Sequence, residues 1–145
     1  MTRILVTGGA GFLGGWILKA LDAVGCEVRV FDRSSDRRVL REIAGEQADR
    51  AEWFQGDVTD GEALTQAARG CSSIIHLAAL LTPACKADPI RGATVNLIGT
   101  LNVFEAAKAN GIRRLAYASS AAVFGVVCGR GRNPTLSRGR AFHSP

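Results

Sequence analysis

Three glycines set at equal intervals constrain this chain more than any other feature. Gly8, Gly11 and Gly14 stand in Thr7-Gly8-Gly9-Ala10-Gly11-Phe12-Leu13-Gly14, directly after the apolar Ile4-Leu5-Val6. An apolar run that gives way to glycines and then to an amphipathic segment reads as strand, tight turn and helix. The first N–H groups of such a helix lack an intrahelical acceptor and lie at the positive end of its dipole, so they can hold an anion such as a diphosphate. Side chains on the turn would keep the anion away, and small residues leave the approach open. The spacing is G-x-x-G-x-x-G, not the G-x-G-x-x-G of the usual dinucleotide fingerprint.

The strand–helix alternation continues beyond the turn. Strand-like segments recur at 3–7, 27–31, 51–55, 73–77 and 114–118, and three of them contain the short apolar runs expected of strands covered on both faces. The first helix is expected over 11–23, with Leu13, Ile17, Leu21 and Val24 inward and Gly25 as its stop. A shorter helix follows Asp36, with Val39, Leu40 and Ile43 inward and Gly45 ending it. Thr59-Asp60-Gly61-Glu62 has capping-box spacing and opens a helix that ends at Gly70. The longest helix is expected from near Pro89 to Asn110-Gly111, with Leu97, Leu101, Phe104 and Lys108 along one stripe. Five alternations predict an α/β fold: a doubly wound parallel sheet with right-handed crossovers and helices on both faces.

The 145 residues, 47% of them hydrophobic, suffice for one domain with a real core. No apolar run approaches a membrane span, and Met1-Thr2-Arg3 leads straight into a strand without a signal-peptide pattern. No membrane association is expected, and the expected location is cytoplasmic. Cys26, Cys71, Cys85 and Cys128 contain no C-x-x-C pair, so they read as small hydrophobes, with neither a metal site nor a disulfide framework expected. The net charge of +5 is uneven. Residues 1–125 carry fourteen basic and thirteen acidic side chains, while Arg130, Arg132, Arg138 and Arg140 fall in 126–145 with no acid. That segment also carries glycines and prolines without periodicity, and reads as an irregular Arg/Gly-rich tail following a domain of residues 1–125. Four arginines without interleaved aromatics read as solvated rather than as a nucleic-acid surface.

Chemistry-bearing residues gather at the carboxyl ends of the strands, where open α/β sheets bind their ligands. Asp32 ends the second strand, 18 residues after Gly14. A carboxylate there can accept from both hydroxyls of an adenosine ribose and repels a 2′-phosphate, which favours NAD over NADP. The adjacent Arg33 pulls the other way, since a guanidinium accommodates that phosphate. Asp57-Val58 follows the third strand and offers an acceptor and an apolar cover for an adenine, or simply turn chemistry and a helix cap. His76-Leu77-Ala78-Ala79 ends the fourth strand, its small residues leaving room for a cofactor against the backbone. His76 itself reads first as a core histidine with one satisfied nitrogen, and second as a base. Asn96 lies within a helix, and Ser119-Ser120 ends the fifth strand.

Taken in order, the Thr7–Gly14 run, Asp32, Gly56-Asp57-Val58, His76-Leu77-Ala78-Ala79, Val95-Asn96 to Gly99-Thr100, and Ser119-Ser120 through Val123-Phe124-Gly125 resemble the extended short-chain dehydrogenase/reductases. More narrowly, the pattern is similar to the NAD-dependent epimerase/dehydratase branch that acts on nucleotide sugars. The resemblance implies a Rossmann-like sheet of strand order 3-2-1-4-5 and a dinucleotide cofactor. It gives the diphosphate to Gly8, Gly11 and Gly14 with the intervening Phe12 and Leu13, and the ribose to Asp32 with Arg33 beside it. It gives the adenine to Asp57 and Val58, and the crevice wall to Leu77, Ala78 and Ala79. Asn96 matches a helix asparagine near the cofactor, and Ser120 matches the catalytic serine or threonine that bonds the substrate oxygen.

The family's Y-x-x-x-K pair, which exchanges the proton and binds the nicotinamide ribose, has no counterpart. The only tyrosine is Tyr117, with Ala121 four residues later, and the last lysine is Lys108. The resemblance therefore implies the NAD-binding portion of an oxidoreductase, truncated before the sixth strand and the substrate domain and catalytically incompetent as it stands. A nucleotide-sugar substrate is expected only if the missing half is supplied. A redox-silent dinucleotide sensor or interaction module is the alternative, and a homo-oligomer is a further expectation.

Overall fold

A computed structural model describes residues 2–120. The 126–145 tail, Cys128 and Val123-Phe124-Gly125 lie outside the described residues, as does the boundary expected at residue 125.

Among the described residues, five strands form one parallel sheet: β1 (Arg3–Thr7), β2 (Glu27–Asp32), β3 (Glu52–Gln55), β4 (Ser73–His76) and β5 (Arg114–Tyr117). Their order is β3-β2-β1-β4-β5, as expected. The register sets Leu5 beside Ile74 and Thr7 beside both Phe31 and His76. Because side chains alternate across a strand, the two faces separate cleanly. Ile4, Val6, Val28 and Val30 pack under α1 (Phe12–Ala23), α2 (Arg38–Ala44) and α3 (Gln47–Arg50), through Leu18, Leu40, Ala44 and Ala48. Leu5, Phe31 and Ile74 pack under α4 (Gly61–Ala67) and α7 (Gly99–Ala109), through Leu64, Ala67, Val103, Ala106 and Ala107. Leu5, Phe31, Leu40 and Leu64 are fully buried, and each such side chain is worth about 1.5–3 kcal/mol relative to exposure.

Several local expectations are corrected. In α1 the fully sheltered apolar side chain is Leu18, with Ile17 and Leu21 half-buried, while Leu13 and Val24 are exposed. Gly14 and Gly15 occupy the rest of the buried face, because α1 approaches its neighbours too closely for side chains there. A Cβ at Gly15 would sit 2.9 Å from Ile43 of α2. Val39 is exposed, leaving Leu40 as the inward anchor of α2. The cap of α4 is not Thr59 but Asp60, whose Oδ1 accepts from the Glu62 and Ala63 N–H groups, while the Thr59 hydroxyl donates to Asp57.

The long helix from Pro89 is three pieces, preceded by an unforeseen helix α5 (Thr82–Ala87). These pieces are α6 (Pro89–Ala93), a π-helical turn (Thr94–Ile98) and α7. The π turn adds a residue to the helical circuit and rotates everything after it. Leu97, Leu101 and Phe104 do share a stripe, but it is exposed, and the inward side of α7 is built from Gly99, Val103, Ala106 and Ala107. Small residues help on that side because the start of α7 lies hard against the segment leading into α4: a Cβ at Gly99 would stand 2.7 Å from Val58. No helix among the described residues is long and apolar enough to cross a membrane. Cys26, Cys71 and Cys85 are free thiols.

Candidate functional site

The carboxyl ends of β1, β2, β3 and β4 open onto one cleft of about 580 Å³. Its floor is the glycine turn. Gly8 has a positive φ of 69°, and a Cβ there would lie 2.5 Å from the Ala78 nitrogen, so only glycine lets β1 turn this close to the segment after β4. Gly14 has a matching role inside α1, where any Cβ would run into the Gly9 carbonyl. Gly11 differs: a Cβ would meet nothing nearer than the Gly8 oxygen at 3.5 Å and would project into open space. Gly11 is also the N-cap of α1, supplies no side-chain cap, and is followed by no acid in the first turn. The first N–H groups of a 12-residue helix therefore face the cleft with no side chain to neutralise them, the arrangement that suits a diphosphate.

Asp32 stands at the lip between β1 and β2. Its Oδ2 accepts from the Ala10 N–H at 3.0 Å and its Oδ1 from the Ser34 N–H at 2.9 Å. The carboxylate thus braces the glycine turn as well as facing the cleft. Arg33, Ser34, Asp36 and Val39 continue the same wall. Asp36 is clamped by Arg38, whose guanidinium holds its carboxyl down to about 2. Asp57 closes the β3 end, its Oδ1 bound to the Thr59 N–H and hydroxyl, with Val58 beside it. Leu77, Ala78, Ala79, Leu80 and Leu81 make the far wall.

Gly8, Gly11, Phe12, Leu13, Gly14, Asp32, Arg33, Asp57, Val58, Leu77, Ala78 and Ala79, all singled out from sequence, line this cleft together. Asn96 does not. Its Oδ1 accepts from the Leu80 N–H at 2.7 Å and its Nδ2 donates to the Leu80 carbonyl at 2.9 Å, so it holds the far wall from behind. Sequence reasoning passed over Leu80 and Leu81 because nothing in their spacing separates a wall residue from a core one. Ser120 follows β5 and is exposed, whereas Ala118 is the residue of that strand end on the cleft. Tyr117 turns away, its ring edge-on to Phe104 of α7 at 6.0 Å.

His76 is buried beside the cleft without lining it. Nδ1 lies 2.6 Å from the Thr7 hydroxyl and Nε2 lies 3.0 Å from that of Thr100. Both nitrogens are occupied, and burial pushes the ring's pKa below its usual value, so it is not placed to serve as a base in the cleft. Among the described residues no cluster of histidine, cysteine and carboxylate side chains is arranged to hold a metal ion.

The chain matches the NAD dependent epimerase/dehydratase family over residues 4–140. It is 35% identical over 120 residues to UDP-glucose 4-epimerase of Mycolicibacterium smegmatis, covering 81% of this chain and 38% of that protein. It is 38% identical over 125 residues to human 3 beta-hydroxysteroid dehydrogenase type 7, covering 83% of this chain and 33% of that one. Among solved structures, the Thermus thermophilus UDP-glucose 4-epimerase complex with NAD is similar at a TM-score of 0.70 and 35% identity, over 82% of this chain and 38% of that chain. The chain spans about a third to two-fifths of the length of the curated relatives it matches.

Proposed function

The chain belongs to the NAD-dependent epimerase/dehydratase family, and on that premise we propose that its cleft binds NAD as the cofactor portion of a nucleotide-sugar epimerase- or dehydratase-like oxidoreductase. One observation carries the reading. Twelve residues chosen for dinucleotide chemistry come from four separate strand ends and meet in one cleft. In this reading the uncapped first turn of α1 takes the diphosphate, and Gly11 leaves the room it needs. Asp32 takes the adenosine ribose, and Asp57 with Val58 takes the adenine. Leu77, Ala78 and Ala79 form the wall against which the remainder of the cofactor lies.

Bound NAD would supply a hydride acceptor. The chain's own part is to fix the dinucleotide and keep one side of it against apolar wall. Asp32 presents a negative charge where NADP carries its 2′-phosphate, which favours NAD, while Arg33 on the same wall leaves NADP as the weaker ligand. Ser120 is assigned the bond to the substrate oxygen. With no Y-x-x-x-K pair in the 145 residues, and with Tyr117 packed on α7, the chain alone binds cofactor without turnover. Assisted proton transfer of that kind is worth about 10²- to 10⁴-fold. Residues 1–125 are assigned to the cofactor unit, and the exposed Leu97–Leu101–Phe104 stripe is the apolar face available to a homo-oligomer.

Titration calorimetry on the 145-residue chain tests this. NAD should bind more tightly than NADP. Gly11→Val puts a side chain into the diphosphate space, so it should weaken NAD binding at least about tenfold, beside a loss of about 1 kcal/mol in stability because valine is the poorer N-cap. Unchanged NAD affinity in that variant would move the diphosphate elsewhere.

A further inference from the structure

A single run of hydrogen bonds joins the two walls of the cleft from beneath. Thr7 immediately precedes the glycine turn, and His76 immediately precedes the far wall; they touch across adjacent strands at 2.6 Å. His76 Nε2 meets Thr100 Oγ1 at 3.0 Å, and the Thr100 hydroxyl meets the Asn96 carbonyl at 2.7 Å. Asn96, seated in the π turn, then grips the Leu80 backbone at both its N–H and its carbonyl. None of the four residues lines the cleft.

The direction of every proton in this run is determined. A carbonyl only accepts, so the Thr100 hydroxyl must donate to Asn96. Thr100 Oγ1 is then the acceptor for His76, which places the ring proton on Nε2. Nδ1 is left bare and accepts from the Thr7 hydroxyl. A buried imidazole in one tautomer, with both nitrogens engaged, is a rigid strut between β1, β4 and α7.

We propose that Thr7, His76, Thr100 and Asn96 form a positioning relay that sets the Leu77–Leu81 wall at its working distance from the glycine turn, so that a side chain outside the cleft governs cofactor affinity. The proposal rests on the assignment of the cleft to NAD. Gly8 and Ala78 already stand too close for a single Cβ, so a small shift of the wall alters the shape offered to the dinucleotide. Thr100→Val removes the hydroxyl and keeps the side chain's shape. With its acceptor gone, the His76 proton moves to Nδ1, where Thr7 Oγ1 can accept it, and the Asn96 carbonyl loses its tether.

The matched control is Thr65→Val. Thr65 makes the same kind of bond, hydroxyl to the carbonyl four residues earlier, at 2.7 Å in α4 and away from the cleft. Three quantities are measured on the full chain carrying His143→Gln, which leaves His76 as the only histidine. These are NAD affinity by calorimetry, the imidazole tautomer by nitrogen NMR, and amide exchange at Leu80. The expected wild-type ring is neutral with its proton on Nε2. Thr100→Val should move that proton to Nδ1, speed exchange at Leu80 and weaken NAD binding about three- to tenfold, the effect of one net hydrogen bond. Thr100→Ser should restore all three, and Thr65→Val should change none.

Wild-type NAD affinity and Leu80 exchange in Thr100→Val would overturn the relay, as would equal losses in Thr65→Val. If the parent chain binds no NAD, the assignment of the cleft fails, and Leu80 exchange still decides whether Thr100 holds the wall. If Thr100→Val does not fold, a wild-type ring protonated on Nδ1 is enough to sink the proposal.

Discussion

The two edges of the sheet use polar groups in opposite ways. At the amino-terminal edge, Arg3 pairs with Glu27 at 3.0 Å and Arg29 with Glu52 at 3.0 Å. Arg29 is buried within β2, and its Nη1 donates to the carbonyls of Ala67 and Arg69, closing the C-terminal end of α4. Only its Nε is left without a partner. At the carboxyl-terminal edge the backbone donors of the first turn of α1 are left open, and the carboxylate of Asp32 faces a cleft. The contrast teaches how to tell structural polarity from functional polarity within one sheet. At the amino-terminal edge the charges are paired with one another and with a helix end, although Arg3, Glu27 and Glu52 still border a cavity of about 410 Å³. At the carboxyl-terminal edge the donors stay open around the cleft, which is the feature the proposed dinucleotide reading uses.

The largest expected effect breaks the paired edge. Arg29→Ala takes the guanidinium donor from two carbonyls at the end of α4 and removes one of the two arginines paired with Glu52, so stability should fall by about 3 kcal/mol in urea denaturation. NAD affinity of the folded protein should be unchanged. A parallel loss of NAD binding would show that the two edges are not independent.

The next effect belongs to the open edge. Asp32→Ala removes the proposed ribose acceptor and the brace on the Ala10 N–H. Calorimetry should give a loss of about 2 kcal/mol in NAD binding, with the preference over NADP narrowed. An unchanged preference would take the ribose away from Asp32.

The smallest effect lies between the edges, at His76. Burial holds its folded pKa below the ordinary 6.5, so the unfolded chain takes up the proton first. The contribution of neutral His76 is complete above 6.5 and is lost as pH falls from there toward the folded value. The slope from this group is at most about 1.4 kcal/mol per pH unit. Urea midpoints between pH 7.5 and 5.5 should show it, and His76→Gln should flatten it. An equal slope in the variant would assign the pH dependence to other groups.

Sequence by itself determined the succession of strands and helices and the floor of the cleft, while the lateral order of the strands came from the family resemblance. Apolar runs between glycine stops fix where strands and helices fall, and Gly8 and Gly14 do work that only the absence of a side chain permits. Asp32, Asp57 and the Leu77–Ala79 segment were legible for a related reason: they stand at strand ends, and in a parallel sheet all strand ends meet on one side. Only the tertiary structure decided what periodicity treats as equivalent. Leu97, Leu101 and Phe104 make as good an inward stripe as any, yet the π turn and the press of Gly99 on Val58 give the buried side to Gly99, Val103, Ala106 and Ala107. Asn96 matches a helix asparagine that the resemblance sets beside a cofactor, but its amide is spent on Leu80. His76 reads as a base or a core residue until Thr7 and Thr100, distant in sequence, occupy both of its nitrogens. A side chain's chemistry is written locally, but its partners are supplied by packing, and the partners decide whether it binds, braces or reacts.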